Sequence, residues 1–330
     1  MSVTTDSPPP DPSVVRVEGP WRHLDVRANG IRFHAAEHQA AEHQAGDRAA
    51  VEYSGATRPL VLLLHGFGQI WWAWRNQLGG IDPHRFRVVA VDLRGYGDTD
   101  KPPRGYDGWT LAGDVYGLIR ALGHSEATLV GHADGGLGAW ACAALHPRAV
   151  HKMVVIGSPH PRVLREDALR IRGDRRPFLR EFLGNQVPRL AERALTRDDG
   201  AFIADMLSQR SGPAWRATDD FRTARELYRT AVQIPGVAHS SLEYRRWAFR
   251  SQFRPDGGRF GEEMESRIDT PVLALRGDQD PYIAAELVSP DATADYAADY
   301  RLVGVADSGH YAHEEQPDAV NTAITEFLTA

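Results

Sequence analysis

Gly131-His132-Ala133-Asp134-Gly135 follows the apolar run Leu129-Val130 and leads into a helical stretch. In a G-x-nucleophile-x-G turn the central residue stands on a strained strand-to-helix corner, and small neighbours let the backbones pass closely. Gly131 and Gly135 fit the two glycine positions. Ala133 therefore occupies the nucleophile position, and a methyl group cannot attack. A register shifted by one would make Asp134 the alternative acid, with His132 then in a place that sterically wants glycine. His65-Gly66-Phe67-Gly68 closes a second apolar run, Leu60–Leu64. A loop there lends a backbone N–H to an oxyanion hole, together with the N–H that follows the nucleophile position. The expected donors are those of Phe67 and Asp134.

Two further signatures supply a base. Leu275-Arg276-Gly277-Asp278-Gln279-Asp280 places acids just beyond an apolar run, and Ser308-Gly309-His310 precedes Glu314, Glu315 and Pro317. A carboxylate behind an imidazole fixes its tautomer and stabilises the imidazolium formed when it takes a proton. Asp280 is expected to brace His310, with Asp278 second in line. His65, Trp71, His132, Tyr244 and Arg245 are the candidates for substrate contact. Trp71, Trp72 and Trp74 either line the pocket mouth or pack in the core. His160, in Ser158-Pro159-His160-Pro161, either faces the pocket or belongs to a rigid hinge.

These signatures need elements that carry them. Asn29-Gly30 between His23–Ala28 and Ile31–Glu37 is a two-residue hairpin signal. Leu60–Leu64, Val88–Val91, Ala127–Val130, Met153–Ile156 and Val272–Leu275 read as strands buried in a parallel sheet, with Leu111–Leu122 and Gly135–Leu145 as helices between them. That rhythm predicts an α/β fold, a doubly wound, mostly parallel sheet. It stops across 160–260, which reads as helices without a strand. The expected organisation is a disordered tail over 1–18, a core over 19–159 and 263–330, and an inserted helical lid over 160–262. The stretch 160–260 carries 20 arginines, no lysine and 13 acids, a net charge of +7. It either favours an anionic ligand or pairs its arginines on solvated helix faces.

Composition narrows the classes. With 330 residues, 42% hydrophobic and 25% charged, the chain has the balance of a globular protein. A net charge of −6 argues against nucleic acid as partner. The single cysteine, Cys142, reads as a buried hydrophobe, excludes an internal disulfide and suits a reducing cytoplasm. No apolar run nears the roughly 18 residues of a membrane span. The prolines at 8, 9, 10 and 12 stand where a secretory signal would be apolar. The AEHQA repeat at 36–40 and 41–45 holds His38 and His43, with no acid or cysteine set to complete a metal site. A small-molecule substrate is expected, without metal, cofactor, nucleic acid or membrane.

Taken together, HGFGQIWWAWRNQL at 65–78, VDLRGYGDTDKPPRGYD at 91–107, VGHADGG at 130–136, YRTAVQIPG at 228–236, GDQD at 277–280 and DSGHYAHEEQP at 307–317 resemble the α/β-hydrolase superfamily. Within it they resemble the epoxide hydrolase-like branch, over about residues 22–328. The resemblance implies a nucleophilic aspartate in a VGHDWGG-like elbow, where this chain has Ala133 and Asp134. It also implies a lid tyrosine that protonates the opening epoxide, within a segment like LNWYR. Here the segment is Leu242-Glu243-Tyr244-Arg245-Arg246, and Arg245 takes the tyrosine's place, with Tyr244 about 100° round the helix. Dehalogenation, which needs both the aspartate and the halide-binding tryptophan, fits less well. General-base attack by water on a small apolar ester or epoxide-like substrate remains open, as does base chemistry without a nucleophile. The alternatives are a ligand-binding protein that has lost catalysis, and a native serine or aspartate deliberately replaced at position 133.

Overall fold

The computed structural model describes residues 8–38, 58–169 and 184–330. Its strands are β1 (Trp21–Ala28), β2 (Ile31–His38), β3 (Leu60–Leu64), β4 (Arg87–Val91), β5 (Ala127–His132), β6 (Val150–Ile156), β7 (Val272–Gly277) and β8 (Tyr300–Val305). They form one sheet in the order β1-β2-β4-β3-β5-β6-β7-β8. β1 and β2 are antiparallel and β2 meets β4 antiparallel; every later pairing is parallel. Asn29 and Gly30 turn the first hairpin with φ of 43° and 81°, the doubly positive geometry of a type I′ turn.

Alternation along the central strands assigns each side chain to a face. Val61, Leu63, Val88, Ala90, Val130 and Val154 join one core cluster with Trp71, Trp74, Leu78 of α1 (Arg75–Gly80), Val320 and Ile324. Leu60, Leu62, Leu64, Val89, Leu129 and Met153 join the other. There they meet Leu118 of α2 (Gly108–Ala121), and Trp140 and Cys142 of α3 (Asp134–Leu145). Cys142 is buried, and burial pushes its thiol up to about 12. The chain runs outward from β3 to β4 and then returns past β3 to β5. In such a sheet ligands bind beyond the carboxyl ends of the strands where the order reverses. Here that crevice lies between the loops after β3 and β5, whose ends are level, with Leu64 opposite Gly131.

Between β6 and β7 the chain forms the helices Pro161–Leu169, Leu190–Arg210, Pro213–Arg216, Asp219–Gln233, Val237–Arg250 and Pro255–Glu263. This is the inserted helical lid. Leu190–Arg210 breaks at Asp198, Asp199 and Gly200, all with positive φ. Ile203, Leu207, Tyr228 and Leu242 belong to the same cluster as Trp71 and Val130, so the lid is continuous with one half of the core.

Three expectations change. Within the span expected as a disordered tail, Pro12–Val15 form a 3₁₀ turn, Val15 is fully buried and its carbonyl accepts the Trp71 indole N–H at 2.8 Å. A short apolar residue among prolines gave no periodic signal. The helix expected from Leu111 begins at Gly108 because the Asp107 side chain caps it, accepting from the Thr110 N–H at 2.9 Å. β8 escapes sequence reading because it is a half-exposed edge strand containing Arg301 and Gly304. His43 of the repeat lies outside the described residues. Among the described residues no helix is long and apolar enough to cross a membrane.

Candidate active site

The corner between β5 and α3 is as tight as its sequence demands. A Cβ on Gly131 would stand 2.6 Å from the Gly136 backbone, and one on Gly135 would stand 2.2 Å from the Leu64 carbonyl. Ala133 bridges strand and helix with φ 45° and ψ −113°, a conformation that costs a non-glycine residue about 1–3 kcal/mol. Asp134 is the first helical residue beyond it. Ala133 N–H donates to the Ile156 carbonyl at 3.1 Å, and the Ser158 hydroxyl donates to the Ala133 carbonyl at 2.9 Å. Ala133 gives α3 no side-chain cap, so the N–H groups of the first turn, and the positive end of the helix dipole, are directed at the corner.

The loops after β7 and β8 place the acid and the base together. His310 Nδ1 lies 3.0 Å from Asp280 Oδ2, both side chains being buried. The other carboxylate oxygen accepts the N–H groups of Tyr282 and Ile283, at 2.7 and 3.0 Å. Burial raises the Asp280 pKa, but His310 and the two N–H donors outweigh it and hold the carboxyl below the usual aspartate range. Asp280 therefore stays ionised, His310 presents its Nδ1–H to it, and Nε2 is left as the basic nitrogen. Asp278 is exposed and its N–H donates to the Val305 carbonyl. Between Ile156 and Ser158, which grip Ala133, stands Gly157 with φ 53°. A Cβ there would lie 3.0 Å from His310 Nδ1 and Cε1, so its absence makes the space for the imidazole beside the corner.

A buried polar chain, unread in the sequence, ties these loops to the lid. Glu314 accepts from Gln69 Nε2 at 2.7 Å, from Arg75 at 2.7 Å and from the Tyr228 hydroxyl at 2.8 Å. Gln69 Oε1 in turn takes the Gly66 N–H at 2.9 Å and faces His132 Nδ1 at 2.7 Å, while His132 Nε2 faces the His310 carbonyl at 3.1 Å. Arg75 also pairs with Asp220, which accepts the Trp215 indole N–H. Glu315 takes the N–H groups of Gly212 and Gly309 at 2.7 and 2.8 Å, and His310 N–H donates to the Arg210 carbonyl. Lid, histidine loop and elbow are thus one hydrogen-bonded unit. Removing one partner of a buried charge pair costs about 3–5 kcal/mol. Glu314→Ala is expected to lose that much in urea unfolding. Asp219→Ala, whose partner Arg222 is exposed, is expected to change stability by less than about 0.5 kcal/mol.

The remaining candidates fall into two groups. His65 is buried, with Nδ1 donating to the Gly66 carbonyl at 2.8 Å and Nε2 accepting the Leu93 N–H at 3.1 Å; burial pushes its pKa down to about 4. Trp71 packs among Trp21, His23 and His34. Tyr244 donates to the Arg94 carbonyl at 2.8 Å. Those three side chains brace loops. Phe67 and Arg245 do meet at the corner, the guanidinium lying 3.7 Å over the ring. His132 packs against His310 with ring centroids 4.8 Å apart. His160 stacks on Tyr296 at 4.2 Å and edge-on to Trp140. A cavity of about 10 Å³ lies under the lid beside Tyr96, Ile203 and Val232, and one of about 20 Å³ beside Asp134 and Tyr244. Each holds about one water. Among the described residues no group of three or more His, Cys, Asp or Glu side chains is placed to hold a metal ion.

Comparison with known proteins agrees with this architecture. Residues 59–317 match a family model described as alpha/beta hydrolase fold. The chain is 31% identical over 324 residues to Epoxide hydrolase 4 of Mus musculus, covering 96% of this chain and 81% of that one. It is 28% identical over 308 residues to AB hydrolase superfamily protein YfhM of Bacillus subtilis, covering 92% and 96%. Among solved structures, an epoxide hydrolase from an endophytic Streptomyces superposes with a TM-score of 0.76 at 24% identity, over 94% of this chain and 96% of that one.

Proposed function

The chain belongs to the α/β-hydrolase-fold family, in its epoxide hydrolase-like branch, and from that premise we propose that it hydrolyses a small, largely apolar ester or epoxide-like substrate by general-base catalysis, without a protein nucleophile. The observation that carries the reading is the buried 3.0 Å His310–Asp280 contact beside a corner whose apex is only a methyl. Water in the space left by the missing nucleophile gives a proton to His310 Nε2 and attacks the substrate carbon. The resulting imidazolium is stabilised by ionised Asp280 and returns the proton to the leaving oxygen. The N–H groups of Phe67 and Asp134 receive the developing oxyanion. These two cavities are each water-sized, so a substrate enters either of them only when lid helices separate from the core.

The test is a panel of activated esters and epoxides. Loss of a general base costs about 10²-fold or more, so His310→Ala should slow turnover of each accepted substrate by at least that factor. Unchanged turnover of all of them would end the proposal. Ala133 itself favours a second reading, a ligand-binding protein that no longer turns substrate over. Turnover that vanishes with both His310→Ala and Asp280→Ala rules that out.

A further inference from the structure

A second set of histidines takes no part in the steps above. His23 of β1 pairs with Ala36 and His34 of β2 with Asp25, so the two imidazoles are diagonal neighbours on one sheet face. Their rings stack with centroids 5.1 Å apart, and both meet Trp71 edge-on. Three contacts run through them in a row. The Val17 carbonyl faces His23 Nε2 at 3.1 Å, His23 Nδ1 faces His34 Nε2 at 2.9 Å, and His34 Nδ1 faces Asp92 Oδ2 at 2.7 Å. A carbonyl at one end and a carboxylate at the other can only accept. Each of the three contacts therefore needs a hydrogen from a ring nitrogen, and two neutral imidazoles carry only two. A neutral pair would set a ring lone pair against an oxygen, or two ring lone pairs against each other.

The third hydrogen belongs to the imidazoles and not to Asp92. Burial alone would raise that carboxyl, but His34 and the Trp71 N–H, which donates at 2.8 Å, outweigh it and hold Asp92 below the usual aspartate range. Asp92 also accepts the Asp98 N–H at 3.1 Å. The other charged groups nearby are engaged elsewhere. Arg16 and Arg32 are each held by Asp25 and Asp98, and Lys101 by the carbonyls of Gly97 and Thr99. His65, beside Asp92, is kept neutral by burial. Burial and the neighbouring His34 push His23 below the ordinary imidazole value, so the pair resists a second proton. Val17 continues the N-terminal strap in which Val15 holds the Trp71 indole, and the turn Pro12–Val15 packs against the lid helix Asp219–Gln233.

We propose that the His23–His34 pair shares one proton, a buried cation paired with Asp92, and that this proton latches the N-terminal strap across core and lid. Losing it leaves one of the three contacts without a hydrogen. A second proton would set two ring N–H groups against each other. Either change loosens the strap.

The experiment labels the histidines of the full chain with nitrogen-15 and, after resonance assignment, counts the hydrogens on the four ring nitrogens at pH 7.5. Three are expected, against two for a neutral pair. Trypsin cleavage after Arg16 reads strap opening, each rate divided by that of a free peptide of residues 11–20. Raising the pH until the third hydrogen leaves should speed cleavage roughly tenfold, the worth of a charge-assisted hydrogen bond. His23→Phe keeps an aromatic ring beside Trp71 but offers no hydrogen, and should give the same increase at pH 7.5 without further dependence on pH. Histidines that merely pack would leave cleavage flat across the titration. Only two hydrogens at pH 7.5, cleavage unmoved by loss of the third, or a His23→Phe chain as resistant as the wild type would overturn the proposal. The hydrogen count needs no variant, so it decides even where His23→Phe fails to fold.

Discussion

Ala133→Ser is expected to raise turnover of activated esters by roughly 10³-fold or more, since losing the nucleophile of an intact triad costs on the order of 10⁶. The expectation follows from how much of the machinery survives. The corner keeps its strained φ of 45°, held by the Ile156 carbonyl and the Ser158 hydroxyl and not by the side chain at position 133. Gly66 keeps the facing wall back from position 133: a Cβ there would stand 2.6 Å from His132 Nδ1 and 3.1 Å from the Ala133 methyl. His310 is already braced to take the hydroxyl proton. Serine should therefore acylate, and a mass increment equal to the acyl group should appear on the peptide containing position 133. Ala133→Asp should gain less with epoxides. Alkylation of the carboxylate needs a lid acid for the opening oxygen, and the Tyr244 hydroxyl is committed to the Arg94 carbonyl while Arg245 cannot give up a proton. No gain with either variant would mean that His310 does not face the corner in solution.

The corner and the histidine were legible because close approach of backbones leaves a local mark. Gly131 and Gly135 are required wherever a strand turns this sharply into a helix, and their spacing of four survives in any sequence. The network behind the site left no such mark. Gln69 and Glu314 are 245 residues apart, Arg75 and Glu314 are 239 apart, and Arg75 and Asp220 are 145 apart. Each residue alone reads as an ordinary polar position; only the fold makes them partners. The same holds for His34 and Asp92, a second buried pair at 2.7 Å, where Asp92 also takes the N–H groups of Trp71 and Asp98. Asp92 stands within a recognised motif, yet its neighbours were unreadable. Trp71 illustrates the converse. Its type suggested a pocket wall, but a tryptophan whose N–H finds a carbonyl is at no disadvantage in the interior, and Val15 provided one from a segment expected to be disordered.

Acidification from pH 7 to 5.5 is expected to destabilise the fold by on the order of 5 kcal/mol, comparable with the whole stability of many domains. Four histidines, at positions 65, 132, 160 and 313, are buried and kept neutral. Burial pushes His65 down to about 4 and His160 to about 3. Burial, together with neighbouring histidines and, for His313, Arg75, holds His132 and His313 well below the ordinary value of 6.5. In the unfolded chain all four take a proton as pH falls through about 6.5, while the folded chain does not. Protons therefore bind the unfolded state alone, and stability is lost on the acid side, at up to about 1.4 kcal/mol per histidine per pH unit. Burial also raises Glu314, Glu315 and Asp114 above the usual carboxylate range, so they take up protons in the fold before they do in the unfolded chain and offset part of this loss. Urea midpoints across pH 7 to 5.5 read the effect directly. His160→Phe keeps the stack on Tyr296 but cannot titrate, and should remove about a quarter of the loss. A midpoint flat over that range, or an unchanged slope in His160→Phe, would show that these imidazoles already carry protons in the fold.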